Sequence, residues 1–227
     1  MSQSFKARLR AGEAANGFWV ELFSPTAAEV MSLAGYDSAM IDLEHGAADL
    51  TDAVAVMRAM AGSGCTPLVR VPANDAAWIK RVLDAGAQGV MVPAVNDAAE
   101  DWRGYVEAIG RSVMTICQVE TRAAVENVAE IAAVPGLDMI FVGPFDLSAS
   151  LGHMGEPDHP DVRAAIASVE AAAKAAGCLL GAIPTPERSP AELYRDGYNL
   201  VLADIDLALV REGARAGVAA VRKAAGR

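Results

Sequence analysis

The chain has 227 residues, 53% of them hydrophobic and 21% charged, and its nineteen Lys and Arg against twenty-nine Asp and Glu leave a net charge of −10. That length and apolar content suit one large α/β domain with a sizeable core. The negative charge argues against nucleic acid and anionic membrane as partners, because no basic surface would offset phosphate repulsion; small molecules are the expected partners. The first ten residues carry charge without an apolar run, and no later stretch approaches the roughly 20 apolar residues of a membrane span. A cytoplasmic protein is expected. Cys65, Cys117 and Cys178 are odd in number and show no C-x-x-C spacing, so neither a disulfide framework nor a zinc cluster is suggested.

Eight short apolar runs follow in chain order: Phe18–Phe23, Ala39–Leu43, Pro67–Val71, Gly89–Val95, Val113–Val119, Met139–Val142, Leu179–Ile183 and Leu200–Ala203. Each is short and largely apolar, as parallel strands buried on both faces are. The segments between them, such as Ala27–Ala34, Asp52–Met60, Ala76–Ala85, Ala123–Ala133 and Val162–Ala176, are alanine-rich with apolar residues at helical spacing. Pro25, Pro72, Pro93, Pro144 and Pro184 fall at or past strand ends, where a missing N–H costs least. Thr121 stands ahead of a helix, and Gly35, Gly86, Gly177 and Gly197 follow helix ends. Eight βα units without G-x-G-x-x-G after the first strand predict a single-domain (β/α)8 barrel over residues 1–227 rather than an open doubly wound sheet.

In such a barrel the chemistry sits at the C-terminal ends of the strands, so polar residues there carry most information. Glu120 and Asp146 project from neighbouring strand ends, where two bare carboxylates repel unless one takes a proton or a cation lies between them. Hard oxygen ligands point to Mg2+, Mn2+ or Co2+ rather than structural zinc; the plain alternative is that each acid caps the next helix. Gln118 lies on the same face as Glu120. Arg70 is the one Lys or Arg inside a predicted strand, and its planar fork suits a carboxylate or an enolate oxygen; the alternative is an ion pair with Asp42 or Glu44. His45 gains weight from Asp42 three residues earlier, since an acid–histidine pair orients the ring and raises its basicity. His153 and His159, in a Gly/Pro-rich loop, read as surface residues. The four lysines lie on predicted helices or near the termini, so no strand offers an amine for Schiff-base chemistry. Acids, one arginine, one histidine and no lysine suit metal-stabilised enolate chemistry.

The runs Asp42-Leu43-Glu44-His45-Gly46, Val69-Arg70-Val71-Pro72, Gln118-Val119-Glu120-Thr121 and Val142-Gly143-Pro144-Phe145-Asp146-Leu147-Ser148 closely resemble the pyruvate-dependent class II aldolases of the HpcH/HpaI family, the 4-hydroxy-2-oxoheptanedioate aldolase type. The resemblance runs in order from about Gly17 to Leu209. It implies reversible cleavage of a 4-hydroxy-2-oxo acid to pyruvate and an aldehyde, with Glu120 and Asp146 holding the divalent metal that chelates pyruvate. It further implies that Arg70 stabilises the enolate, that His45 with Asp42 manages proton transfer through a metal-bound water, and that Gln118, Gly143, Pro144 and Trp19 line the pyruvate site. Asp84 matches a position that reaches towards a neighbouring subunit's site. The implied assembly is a hexamer of dimers that exchange the C-terminal helix, here about 207–225. One departure stands out: between Asn96-Asp97 and Tyr105 the family normally carries a longer loop, whereas here Glu100 runs almost directly into Asp101-Trp102-Arg103-Gly104. A citrate-lyase-β-like enzyme acting on an acyl-CoA, and a non-catalytic metal-binding barrel, are the competing expectations.

Overall fold

Successive side chains of a strand point to opposite faces, and here that alternation serves two cores at once. The computed structural model, described over residues 3–98 and 113–225, is a closed barrel of eight parallel strands in sequence order. The strands are β1 (Ala15–Val20), β2 (Ser38–Asp42), β3 (Thr66–Arg70), β4 (Gly89–Val92), β5 (Met114–Val119), β6 (Met139–Val142), β7 (Leu179–Ala182) and β8 (Leu200–Ile205). Closure runs through β1 and β8, where Ala15 pairs with Leu200 and Trp19 with Ile205. Around them lie α1 (Phe5–Arg10), α2 (Pro25–Ser32), α3 (Leu50–Ala59), α4 (Ala76–Asp84), α5 (Arg122–Glu126), α6 (Val128–Ala132), α7 (Pro144–Ser150), α8 (Pro160–Ala176), α9 (Pro190–Arg195) and α10 (Asp206–Ala224). The shortened segment from Glu100 to Tyr105 lies outside the described residues.

Outward residues such as Ile41, Val69, Val90, Val119, Ile140 and Val201 pack with helix residues including Val56, Ile79, Ile131 and Val169. Inward residues form a separate cluster of Trp19, Met40, Leu68, Met91, Ile116, Met139, Phe141 and Leu202, so the barrel is a filled core rather than a pore. Small residues make the room: a Cβ on Gly181 would lie 2.6 Å from Phe141 Cδ2. The N-terminal end is plugged by α1, whose Phe5 and Leu9 join the inner cluster. Lys6 and Arg10 of that helix reach the buried Asp138 at 2.7 and 2.9 Å, which turns a charged leader into a stopper. At the other end no described helix plugs the mouth, and polar residues, Asp42, Arg70 and Gln118 among them, stand at the ends of several strands.

All eight predicted strands are present, most with ends shifted by one residue or more, and three of the differences have a plain physical reason. The first strand ends at Val20 rather than Phe23, because the N–H groups of Glu21 and Leu22 turn to the Asp206 carboxylate and Phe23 sits at φ 48°. The fourth ends at Val92, since Pro93 has no N–H and Ala94 adopts φ 49°. The predicted helix Ala123–Ala133 is two short helices broken at Asn127, whose side chain donates to the Asn96 carbonyl at 2.9 Å. Thr121 caps α5, accepting from the Ala124 N–H at 3.0 Å. Within the described residues no helix is long and apolar enough to cross a membrane. The last helix is amphipathic yet hardly packed: from Leu209 to Ala225 every residue is exposed, Val210, Val218 and Val221 among them.

Candidate active site

Strand period two brings the last inward residues together at the open mouth: Trp19 on β1, Asp42 on β2, Arg70 on β3, Gln118 on β5, with Glu120 one step beyond it and Gly143 just past β6. Of these, Trp19, Arg70, Gln118 and Gly143 line a cavity of about 250 Å³, together with the polar Glu21, His45 and Asp146 and the apolar Phe141, Phe145, Ile183, Leu202 and Ile205.

Arg70 is the centre of the polar side. Its Nε and Nη2 donate to the two oxygens of Asp42 at 2.8 and 2.6 Å, and both side chains are withdrawn from solvent. The guanidinium lies over the Trp19 ring, 4.4 Å from its centroid, and Trp19 meets Phe141 edge-on at 6.1 Å. Only Nη1 is left over, 3.4 Å from Gln118 Oε1 and 3.1 Å from Glu44 Oε2. The Glu44 contact is an ion pair off the N–H axis, so that buried oxygen has no hydrogen-bond donor. Two expectations are corrected here. Asp42 orients Arg70, not the His45 ring: His45 gives it only a backbone N–H, at 3.3 Å, and the ring's ion-pair neighbour is Glu44, Oε2 to Nε2 3.8 Å. Arg70 therefore does not offer a two-pronged fork to a substrate, since Asp42 already occupies it. The tight turn after β2 forces this, because it puts the N–H groups of Glu44 and His45 over Asp42 Oδ1 and swings the His45 ring outward.

Glu120 is buried, and both its oxygens are held from within. Oε1 accepts from the Ala94 N–H at 2.9 Å, and Oε2 accepts a short hydrogen bond from Gln118 Nε2. The left-handed φ of Ala94 aims that N–H, a small strain of the sort found where backbone serves a site. Burial pushes the Glu120 carboxyl above its ordinary pKa; Glu44 and Asp146 push the same way, and the Ala94 N–H opposes them. Burial likewise raises Glu44, with Asp42 and Asp146 adding to it and Arg70 and His45 opposing. Asp146 is exposed in the first turn of α7, a helix without any side-chain cap bond. Neither acid therefore serves as the helix cap that was the plain alternative; Thr121 caps α5.

Trp19, Gln118 and Gly143 line the cavity with Arg70, His45 and Asp146, but Pro144 does not: it is buried at the first position of α7, and Phe145 supplies the wall there. Asp84 is exposed at the last residue of α4, the opposite end of the barrel from the mouth. His153 and His159 are partly buried and stacked, ring centroids 3.5 Å apart, beside Asp161. Sequence reasoning missed Glu21 as a site residue. Its signal was available, since it lies two positions after Trp19 in an otherwise apolar run.

The profile of the HpcH/HpaI aldolase/citrate lyase family matches residues 15–213. The chain belongs to that family. Its curated relatives include aldolases, which are carbon–carbon lyases, and this chain is an enzyme of that class. It is 34% identical to a hydroxypyruvate/pyruvate aldolase of Paraburkholderia phytofirmans over 252 residues, covering 96% of each chain. It is 34% identical to a 5-keto-4-deoxy-D-glucarate aldolase of Salmonella arizonae, over 92% of this chain and 93% of that one. The crystal structure of a family member from Burkholderia cenocepacia superposes with a TM-score of 0.87 at 35% identity, covering 97% of this chain and 100% of the other.

Proposed function

We propose that this HpcH/HpaI family member is a divalent-metal-dependent class II aldolase that interconverts a 4-hydroxy-2-oxo acid with pyruvate and an aldehyde. The observation that carries the reading is Arg70: a buried guanidinium locked by Asp42 with its remaining Nη1 turned to Gln118 and Glu44, beside Glu120 and Asp146.

The residues fit a metal. Glu44, Glu120 and Asp146 repel one another, two of them with carboxyls pushed up by burial, and hard oxygen donors of this kind suit Mg2+, Mn2+ or Co2+. A Cβ on Gly143 would lie 3.0 Å from Glu120 Oε2, so the glycine keeps that oxygen open on one side. Glu120 and Asp146 would hold the ion, and two carboxylates plus substrate oxygens is a usual Mg2+ set. The bound ion would supply Lewis-acid stabilisation of developing negative charge.

The chain's own groups divide the remaining work. Arg70 Nη1 donates to the keto oxygen of the pyruvate unit, where charge develops as the C3–C4 bond breaks. The indole of Trp19 and the amide of Gln118 hold the guanidinium plane and the Glu120 oxygen in place. His45, at the rim, takes the proton of the C4 hydroxyl as the aldehyde forms, and the enolate is protonated at C3 to give pyruvate. The exposed apolar face of α10 supports a homo-oligomer in which a second copy covers that helix, and Asp84 would serve a neighbouring subunit's site.

The test is exchange of the pyruvate methyl protons with D2O, followed by NMR, together with aldol cleavage. Both should be abolished by chelation and restored by Mg2+, Mn2+ or Co2+, while Glu120→Ala and Asp146→Ala should not be rescued. Full activity in excess EDTA overturns the metal role, and turnover of CoA esters in place of 2-oxo acids would identify an acyl-CoA lyase.

A further inference from the structure

Glu21 occupies a place the mechanism above does not use. It follows β1, and its backbone is pinned: the N–H groups of Glu21 and Leu22 donate to the carboxylate of Asp206, which is 1% exposed, at 3.0 and 3.1 Å. That clamp ends the strand and leaves the Glu21 side chain on the cavity wall with Trp19, His45 and Arg70. The residue is only partly exposed, yet among the described residues its carboxylate has neither a hydrogen bond nor a salt bridge. Burial raises its pKa, with Asp42 and Asp206 reinforcing and Arg70 and His45 opposing. Other acids at the mouth have partners or proposed roles: Asp42 holds Arg70, Glu44 pairs with Arg70, and Glu120 and Asp146 would hold the ion.

An ionised carboxylate only accepts hydrogen bonds, and one left half-buried without a partner is satisfied best by a donor on the ligand. The rest of the cavity limits what that ligand is. Among the described residues, Glu21 and Asp146 line the cavity with Arg70, and Asp42, Glu44 and Glu120 stand close around that arginine and its neighbours. A divalent ion does not cancel the excess, and pyruvate brings a further negative charge. A second anionic group on the aldehyde half would enter a negative field in which no described lining residue besides Arg70 is a cation to receive it. The apolar lining residues Phe145, Ile183, Leu202 and Ile205 favour apolar surface on the ligand.

We propose that Glu21 selects the acceptor aldehyde: its carboxylate accepts a hydrogen bond from a hydroxyl group on a short, neutral aldehyde and repels aldehydes that carry a carboxylate. The assignment rests on the aldolase reading and adds the substrate class. Glu21 makes no bond to reacting atoms in this scheme; it acts on specificity.

The experiment compares kcat/KM for glycolaldehyde, propanal and succinic semialdehyde, each with pyruvate and Mg2+, in the parent enzyme, Glu21→Gln and Glu21→Ala. Ratios between aldehydes within one variant do not depend on how much of it folds. The parent should favour glycolaldehyde over propanal by about tenfold or more, the scale of one hydrogen bond to a charged group, and should use succinic semialdehyde poorly. In Glu21→Gln the succinic semialdehyde to glycolaldehyde ratio should rise by about tenfold or more as the charge is removed. In Glu21→Ala the glycolaldehyde to propanal ratio should fall towards unity. Unchanged ratios in both variants, with normal pyruvate proton exchange in the parent, overturn the Glu21 assignment alone. A parent that neither exchanges pyruvate protons nor joins any aldehyde to pyruvate overturns the aldolase reading and this assignment with it.

Discussion

Both oxygens of Asp42 are taken by Arg70, through Nε at 2.8 Å and Nη2 at 2.6 Å, and neither side chain is more than marginally exposed. Removing one partner of such a pair strands the other charge. Arg70→Lys keeps the charge but cannot span both oxygens, and Asp42→Asn frees the guanidinium to rotate. Each should lower kcat/KM for aldol cleavage by roughly a hundredfold or more, the scale of a lost oxyanion donor. Near-normal turnover in Arg70→Lys would make the arginine purely structural.

His45 stands apart from that pair, with its ring 57% exposed. His45→Ala should therefore slow pyruvate proton exchange and leave thermal stability and Mg2+ affinity, read by titration calorimetry, within about twofold of the parent, since exposed sites without special contacts contribute little. A large loss of metal affinity would make His45 a ligand instead.

Gly143 tests the geometry around Glu120 from behind. A Cβ there would lie 3.0 Å from both Cβ and Oε2 of Glu120 and 3.2 Å from Gln118 Nε2, tighter than ordinary contact. Gly143→Ala should displace the two side chains and weaken Mg2+ binding by about tenfold or more, as groups supporting a metal ligand do when disturbed. Unaltered affinity would show that neither side chain had to move, or that Glu120 is not a ligand.

The acids at the mouth set a pH dependence whose sign is determined. The carboxyls of Glu120 and Glu44 are raised above their ordinary value, so the folded, metal-free chain holds more protons than the unfolded chain in the window above that value. Stability then falls as pH rises through the raised pKa values. In EDTA the melting temperature of Glu120→Gln minus that of the parent should grow from pH 5 to pH 7.5, and saturating Mg2+ should shrink the difference. A difference that does not vary with pH would contradict the shift at Glu120.

Burial pushes the Cys65 thiol up to about 12, and Cys178 moves in the same direction for the same reason. Thiolate is the reactive form, so at pH 8 a disulfide reagent should modify both far more slowly in the native protein than after denaturation, monitored by absorbance. Fast labelling of Cys65 in the folded state would show that its packing opens.

The barrel was legible in the chain because its information is local. Eight apolar runs and the prolines and glycines that stop them depend on spacing and backbone chemistry, which neighbours along the sequence determine by themselves. The same period placed Arg70, Gln118 and Glu120 at the mouth, since inward positions repeat every second residue, while Trp19 came from the family resemblance. Which of its two candidate partners, His45 or Arg70, Asp42 holds was not legible. Asp42 lies three residues from His45 and 28 from Arg70, and only the β2–β3 register, Asp42 beside Arg70, decides that the distant partner wins. Tertiary structure alone also decided where β1 stops, because Asp206 claims the N–H groups of Glu21 and Leu22 from the far end of the chain. It likewise left Glu21 on the cavity wall without a partner among the described residues. Sequence spacing names the residues that reach the mouth; the closure of β8 on β1 determines which of them are already bonded and which remain open to a ligand.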